Sequence, residues 1–178
     1  YFSLQELLSE KKILLDETKN TGDLFSLLSH SVQQCLVSDR PVGAFLSGGI
    51  DSTTISYFLS QFQANAPVFS LYWDDENYSE EFYIKEAVSA LGLQHFSVKC
   101  DLSFFLNHFD SIASLYDEPF ADESMIPTYC LANFAKKKVD VVLTGDGSDE
   151  FFHGYDRYFF KGNFEQYLLN IINVCIDQ

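Results

Sequence analysis

The sequence predicts an α/β fold, a three-layer sandwich in which a mainly parallel sheet carries helices on both faces. Short apolar runs alternate along the chain with segments of helical period. Two of these runs end in glycine-containing loops rich in Ser and Asp. Alternating strands and helices build βαβ units, whose strands lie parallel. Ligands of such sheets bind outside the carboxyl ends of the strands, so we expect both loops at one site.

Each element follows from the spacing of its apolar residues. A stripe through residues 24–36 predicts a first helix, with Thr21 or Asp23 as its N-terminal cap. Apolar runs predict strands at residues 42–46, 67–72, 95–98 and 139–143. Helical spacing marks residues 55–62, 84–91, 102–116, 125–138 and 164–175. Pro127 falls in the first turn of its helix, where proline is tolerated.

Length and composition limit the classes of protein. With 178 residues we expect one domain over residues 21–178, preceded by the tail of an upstream region or linker at residues 1–20. The chain begins with Tyr1 and shows no signal peptide, so it reads as a segment of a longer protein. It is 47% hydrophobic without a run long enough to cross a bilayer, which predicts a soluble protein without a membrane partner.

Charge and cysteine spacing exclude further classes. A net charge of −15 with only 11 Lys and Arg disfavours a nucleic-acid partner, which requires a basic surface. The four cysteines are widely spaced and form no Cys-x-x-Cys pair, so we expect neither a zinc site nor a disulfide scaffold. Buried free thiols in a reducing cytoplasm are the expected state.

The first glycine loop, Ser47-Gly48-Gly49, joins a strand directly to a helix. Glycine lets the backbone approach a ligand, and the free N–H groups of the helix's first turn attract an anion such as phosphate. Ser52 adds a hydroxyl, and Asp51 beside a phosphate implies a bridging Mg²⁺. The chain has no Gly-Lys pair, so this is not a Walker A loop. The alternative is a strand–helix turn that uses glycine only for packing.

The second glycine loop, residues 144–150, carries three carboxylates within five residues, those of Asp146, Asp149 and Glu150. Carboxylates this close repel each other unless a cation joins them. Asp51 with one of the three would offer Mg²⁺ two protein ligands and leave its other positions to phosphate and water. The alternative is a solvated acidic turn.

The motif Ser-Gly-Gly-Ile-Asp-Ser at residues 47–52 resembles the pyrophosphate loop of the N-type ATP pyrophosphatases, a HUP-like superfamily. Members cleave ATP between the α and β phosphates and adenylate a carboxylate or a base carbonyl. With Leu-Thr-Gly-Asp-Gly-Ser-Asp-Glu-Phe-Phe-His-Gly-Tyr at residues 143–155, the chain resembles the synthetase domain of glutamine-dependent asparagine synthetase. The resemblance runs from about residue 20 to residue 158, so we expect a domain incomplete at its C-terminus.

The resemblance implies roles for individual residues. Asp51 and Asp149 would hold Mg²⁺, while Asp146 and Glu150 would act near the reacting centre and the acceptor. ATP and its pyrophosphate would contact a larger set, namely Phe45, Leu46, Ser47, Gly48, Gly49, Asp51, Ser52, Ser70 and Gly145.

The reaction implied is adenylation of a small-molecule carboxylate, with aspartate as the leading candidate. Mg²⁺-pyrophosphate leaves, and ammonia from glutamine gives asparagine and AMP. The partner would be a glutaminase domain of the same parent chain, and a homodimer is a possible assembly. His153 replaces a glycine of the family's pattern, and a catalytic lysine downstream has no counterpart before Gln178. The family's amino-terminal glutaminase domain, with its leading cysteine nucleophile, is also missing from this sequence, so we expect that this segment alone does not hydrolyse glutamine.

Three alternatives stay open. The segment Glu-Pro-Phe-Ala-Asp at residues 118–122 also suits amidotransferases of surface-sugar pathways and lactam or peptide cyclases of the same family. A tRNA-modifying branch of the superfamily needs a basic surface that this composition lacks. A non-catalytic domain that binds a nucleotide or a protein partner would keep the fold without the reaction.

Overall fold

A computed structural model describes residues 17–73, 80–118, 122, 124–152 and 154–155. Strands alternate with helices over most of this range, as the sequence predicts. The elements in chain order are α1 (Glu17–Cys35), β1 (Val42–Phe45), α2 (Ile50–Phe62), β2 (Pro67–Tyr72), α3 (Glu81–Leu91), β3 (Gln94–Lys99), α4 (Leu102–Ala113), α5 (Met125–Ala135), β4 (Val141–Leu143) and α6 (Ser148–Phe152).

The strands form one parallel sheet in the order β3-β2-β1-β4. β1 lies between β2 and β4, with Ala44 opposite Val68 on one side and opposite Leu143 on the other. The chain leaves β1 toward β2 and later returns to the opposite side of β1 as β4. The carboxyl ends of β1 and β4 therefore form a topological switch point, where crevices open in sheets of this kind.

Helices cover both faces of the sheet. On one face, Ala44 and Val68 pack with residues of α2 and α3, among them Leu59 and Ile84. On the other face, the next residues along β1 and β2 pack with α5, and Phe69 and Leu131 belong to this second cluster. The predicted three-layer α/β sandwich is confirmed, because successive strand residues point to opposite faces and each face has its own apolar cluster.

Phe69 explains the glycine in the middle of β1. Its fully buried ring stacks on Phe96 of the neighbouring strand and meets Phe134 of α5 edge-on. A Cβ at Gly43 would lie 2.9 Å from the ring atom Cε2 of Phe69 and 2.7 Å from the carbonyl oxygen of Pro67. Only glycine leaves room for this ring between strand and helix.

Several predicted element boundaries differ from the structure. α1 begins at Glu17, so Thr21 and Asp23 lie inside the helix and neither is its cap. α4 ends at Ala113 instead of residue 116, because the backbone N–H of Leu115 bonds to Ile112 three residues earlier and tightens the chain into a turn. Residues 148–152 form the short helix α6, where a loop was predicted.

Some sequence predictions fall outside the described residues. The apolar stripe at residues 164–175 and His153 lie there. Within the described ranges, no helix combines the length and the apolar character needed to cross a membrane.

Candidate functional site

The two glycine loops meet at the switch point. A Cβ added at Gly145 would lie 3.0 Å from the Cβ of Asp51 and 3.1 Å from the backbone nitrogen of Ser52. The second glycine loop therefore rests directly on the first turn of α2. Sequence reasoning placed both loops at the same edge of the sheet, and the pairing of β1 with β4 brings them into contact.

Hydroxyl groups hold the first glycine loop in a tight conformation. The Ser52 hydroxyl accepts a hydrogen bond from the backbone N–H of Ser47 at 3.1 Å and lies 2.9 Å from the Ser47 hydroxyl. The Ser47 hydroxyl also accepts the backbone N–H of Gly49 at 3.3 Å. Gly48 takes a positive φ of 90° and packs against α3, where its added Cβ would lie 3.1 Å from the Cβ of Tyr83. Glycine is needed at this position for its backbone conformation.

A cavity of about 690 Å³ opens above these loops. This volume suits a ligand of nucleotide size, since small-molecule sites commonly span about 300–1,000 Å³. All predicted site residues line it except Gly48 and Gly49, which belong to the first glycine loop but do not face the cavity. The predicted residues on its wall are Phe45, Leu46, Ser47, Asp51, Ser52, Ser70, Gly145, Asp146, Asp149 and Glu150.

Ser70 links β2 to the first glycine loop. Its side chain is only 1% exposed, and its hydroxyl donates a hydrogen bond to the backbone carbonyl of Leu46 at 2.5 Å. The hydroxyl thereby fixes the residue that precedes Ser47. The structure thus places Ser70 where it supports the loop.

The cavity wall also contains residues that sequence reasoning missed. His95 and Ser97 occupy alternate positions of β3, and Trp73 directly follows β2. The sequence did offer a signal for these residues, since two polar side chains alternate along β3 and Trp73 follows the end of β2. Only the strand order shows that β3 borders the same cavity. The further lining residues that were not predicted include Tyr72, Glu80, Glu81, Pro127, Leu131 and Tyr155.

His95 is held in its neutral form. Burial lowers the pKa of its imidazole below the usual value, and the nearby carboxylate of Glu81 only partly offsets this effect. The ring nitrogen Nε2 is buried and has no hydrogen-bond partner among the described residues. At neutral pH the side chain therefore adds an uncharged polar group to the wall of the cavity.

Carboxylates dominate the electrostatics of the cavity. None of its described lining residues is Lys or Arg, so nothing on the described wall balances the negative charge. No group of three or more His, Cys, Asp or Glu among the described residues is close enough to form a complete metal site. A Mg²⁺ site commonly takes one or two protein carboxylates and leaves its other positions to phosphate oxygens and water, and the carboxylate residues Asp51 and Asp149 both line this cavity.

Of the four cysteines, three belong to the described residues, and none of these three lines the cavity. Cys100 and Cys130 are buried, as expected, whereas Cys35 is exposed because it ends the outer helix α1. Burial raises the pKa of the Cys100 thiol and raises that of Cys130 to about 12. Both thiols therefore stay protonated at neutral pH and are poor nucleophiles.

Comparisons with known proteins agree with this arrangement. The family described as asparagine synthase matches residues 23–171. The glutamine-hydrolysing asparagine synthetase 1 of Bacillus subtilis is 36% identical over 148 residues, which are 83% of this chain and 23% of the relative. A putative glutamine-hydrolysing asparagine synthetase 2 of Methanocaldococcus jannaschii is 40% identical over 148 residues, 82% of this chain and 27% of the relative. The chain thus spans about a quarter of the length of these relatives.

A solved structure supports the fold independently. NMN synthetase from Francisella tularensis superposes with a TM-score of 0.50 at 18% identity, covering 79% of this chain and 59% of that protein. At this identity the similarity concerns the fold alone. It confirms the predicted α/β class with a parallel sheet.

Proposed function

Because the chain belongs to the asparagine synthase family, we propose that it forms the ATP-binding, carboxylate-activating part of an amide-forming ligase. The observation that carries this proposal is the contact between the two glycine loops, with Gly145 resting on Asp51 and Ser52 at the mouth of one cavity. Neither loop alone distinguishes a phosphate site from an ordinary turn. Together they offer phosphate donors and metal-binding carboxylates to the same ligand.

Different residues of this chain would bind the phosphates and the nucleoside of ATP. The unpaired N–H groups at the start of α2 and the hydroxyls of Ser47 and Ser52 donate hydrogen bonds to phosphate oxygens. To do so, the Ser47–Ser52 hydroxyl pair exchanges its internal bond for bonds to the ligand. Phe45 supplies apolar surface at the end of β1 for the nucleoside, and Leu46, which is only 1% exposed, supports this end of the strand from the core.

Asp51 and Asp149 would hold Mg²⁺ between the carboxylates and the phosphates. The bound metal would neutralise charge that develops on the pyrophosphate during its departure. Asp146 and Glu150 line the same cavity and would place the acceptor and the incoming nitrogen. The carboxylates that line the cavity repel the anionic phosphates unless a cation is present, so ATP binding should require Mg²⁺.

Aspartate is the acceptor that we propose. The relatives in Bacillus subtilis and Methanocaldococcus jannaschii carry the name asparagine synthetase, and both are described as glutamine-hydrolysing. Ammonia released from glutamine by a glutaminase domain would then convert the aspartyl adenylate to asparagine and AMP. We further propose that the protein works in the cytoplasm.

Calorimetric titration of the chain with ATP tests the proposal. We expect binding in the presence of Mg²⁺ and little without it. Asp51→Asn should remove most of the Mg²⁺-dependent affinity, because the amide keeps the shape but loses the charge. Asp39→Asn is the matched control, since Asp39 is exposed in the turn before β1 and outside the cavity. Equal binding by both variants would refute the assignment of Asp51 to the metal.

A second assay addresses the reaction. This chain, and a form extended to the length of its relatives, are incubated with Mg²⁺-ATP and a set of carboxylates. We expect pyrophosphate to be released fastest with aspartate. Binding of ATP without pyrophosphate release by the longer protein, whatever the acceptor, would instead support a non-catalytic nucleotide-binding domain.

A further inference from the structure

We propose that Gly154 and Tyr155 are positioning residues that fix the carboxylates of Asp149 and Glu150 in the cavity. This inference rests on the proposed function for the roles of the two acids. The two positioning residues lie two and three positions after Phe152, the last residue of α6, and Tyr155 itself lines the cavity. None of the sequence motifs assigns them a task.

α6 cannot orient its own side chains. It has only five residues, and a helix of this length is not stable by itself. None of its residues is buried, and the rings of Phe151 and Phe152 are 73% and 56% exposed. The acids of α6 therefore need contacts from outside the helix to hold one direction.

Gly154 supplies the first contact. Its backbone N–H donates a hydrogen bond to the carbonyl of Asp149 at 3.1 Å, which folds the chain back onto α6. A Cβ at Gly154 would collide with the Oδ1 of Asp149 and lie 2.6 Å from its Cγ. Glycine is needed here because the Asp149 carboxylate occupies the space of a side chain.

Tyr155 supplies the second contact. Its hydroxyl donates a hydrogen bond to the Oε1 of Glu150 at 2.7 Å. Hydrogen bonds to an ionised acceptor are shorter and stronger than neutral ones, so this bond limits the rotation of an otherwise exposed carboxylate. The pair of contacts holds two neighbouring acids, one through packing and one through a hydrogen bond.

The first test uses metal binding. Mn²⁺ serves as the probe, and its free concentration is followed by electron paramagnetic resonance with and without ATP. Gly154→Ala should weaken Mn²⁺ binding by at least tenfold, whereas Gly22→Ala, where an added Cβ meets nothing within 4 Å, should leave it unchanged. In the Asp149→Asn background, Gly154→Ala should have no further effect, because both changes act on one carboxylate. Additive losses would overturn the role of Gly154.

The second test needs no ligand. Backbone ¹⁵N relaxation of the unliganded chain should show residues 149–152 more mobile in Tyr155→Phe than in the wild type. Tyr57→Phe, which removes a hydroxyl outside the cavity, is the matched control. In the Glu150→Ala background, which removes the acceptor of this hydrogen bond, Tyr155→Phe should have little further effect. Unchanged relaxation in Tyr155→Phe would overturn the role of Tyr155.

The two tests separate this inference from the proposed function. A wild-type chain that binds neither Mn²⁺ nor Mg²⁺-ATP, yet loses order in Tyr155→Phe, would refute the metal assignment and still support the positioning contact. A wild-type chain that binds Mg²⁺-ATP and is insensitive to both substitutions would refute only the positioning role. If Gly154→Ala fails to fold, Tyr155→Phe, which removes a single oxygen atom, decides the outcome.

Discussion

Replacement of Gly145 by alanine tests directly whether the two glycine loops touch. The new methyl group would lie 3.0 Å from the Cβ of Asp51 and 3.2 Å from its carbonyl carbon. Carbon atoms in favourable contact are about 3.5–4.0 Å apart, so the methyl overlaps its neighbours by roughly half an ångström. Gly145 does not have a positive φ, and the expected cost is therefore steric.

The overlap should cost about 1–3 kcal/mol, the usual range when extra methyl groups enter a packed site. A domain of this kind has about 5–15 kcal/mol of stability, so the variant should still fold. The loops can relieve the overlap only by separating, which moves Asp51 and Ser52 away from Asp149. We therefore expect Gly145→Ala to lose Mg²⁺-dependent ATP affinity in addition to stability.

Gly92→Ala provides the control for stability alone. Gly92 caps α3 with a positive φ of 62°, and an added Cβ meets nothing within 4 Å. Its replacement should cost about 1 kcal/mol through backbone strain, at a site remote from the cavity. Urea unfolding measures both stabilities, and calorimetry measures ATP binding in the presence of Mg²⁺. Equal ATP affinity in Gly145→Ala and the wild type would refute the contact between the loops.

Three further substitutions probe the cavity wall and the core, and a fourth, at an exposed phenylalanine, is a control. Because burial lowers the pKa of His95, acid protonates the unfolded chain first, so stability should fall as the pH drops below about 6.5. His95→Gln should reduce this loss in urea titrations at pH 7 and pH 5.5. Ser70→Ala removes the bond to the Leu46 carbonyl and should cost about 1–3 kcal/mol of unfolding free energy. Phe69→Ala should cost about 3–5 kcal/mol, since its ring is fully buried, whereas Phe82→Ala, 67% exposed, should change stability by less than about 0.5 kcal/mol.

Strand and helix positions were largely predictable from the sequence. Residues 42–46 form an apolar run between Pro41 and the first glycine loop, and the run at residues 67–72 begins with proline; such local signals do not depend on distant contacts. Helix ends were predicted less well, since α1 extends to Glu17 and α4 stops at Ala113. Where a helix ends depends on which backbone hydrogen bonds form in its last turn. The spacing of apolar residues reports the buried face of the helix and not these bonds.

The sequence by itself determined the class of fold and the composition of the two glycine loops, because hydrophobic period and glycine placement are local properties. The tertiary structure decided how these loops meet. The strand order puts β4 beside β1, and this brings Gly145 onto Asp51. It also places His95 of β3 on the wall of the same cavity, 46 residues along the chain from Gly49 at the end of the first glycine loop. Strand order is a non-local choice, made by the packing of helices on both faces, so spacing along the chain could not reveal these contacts.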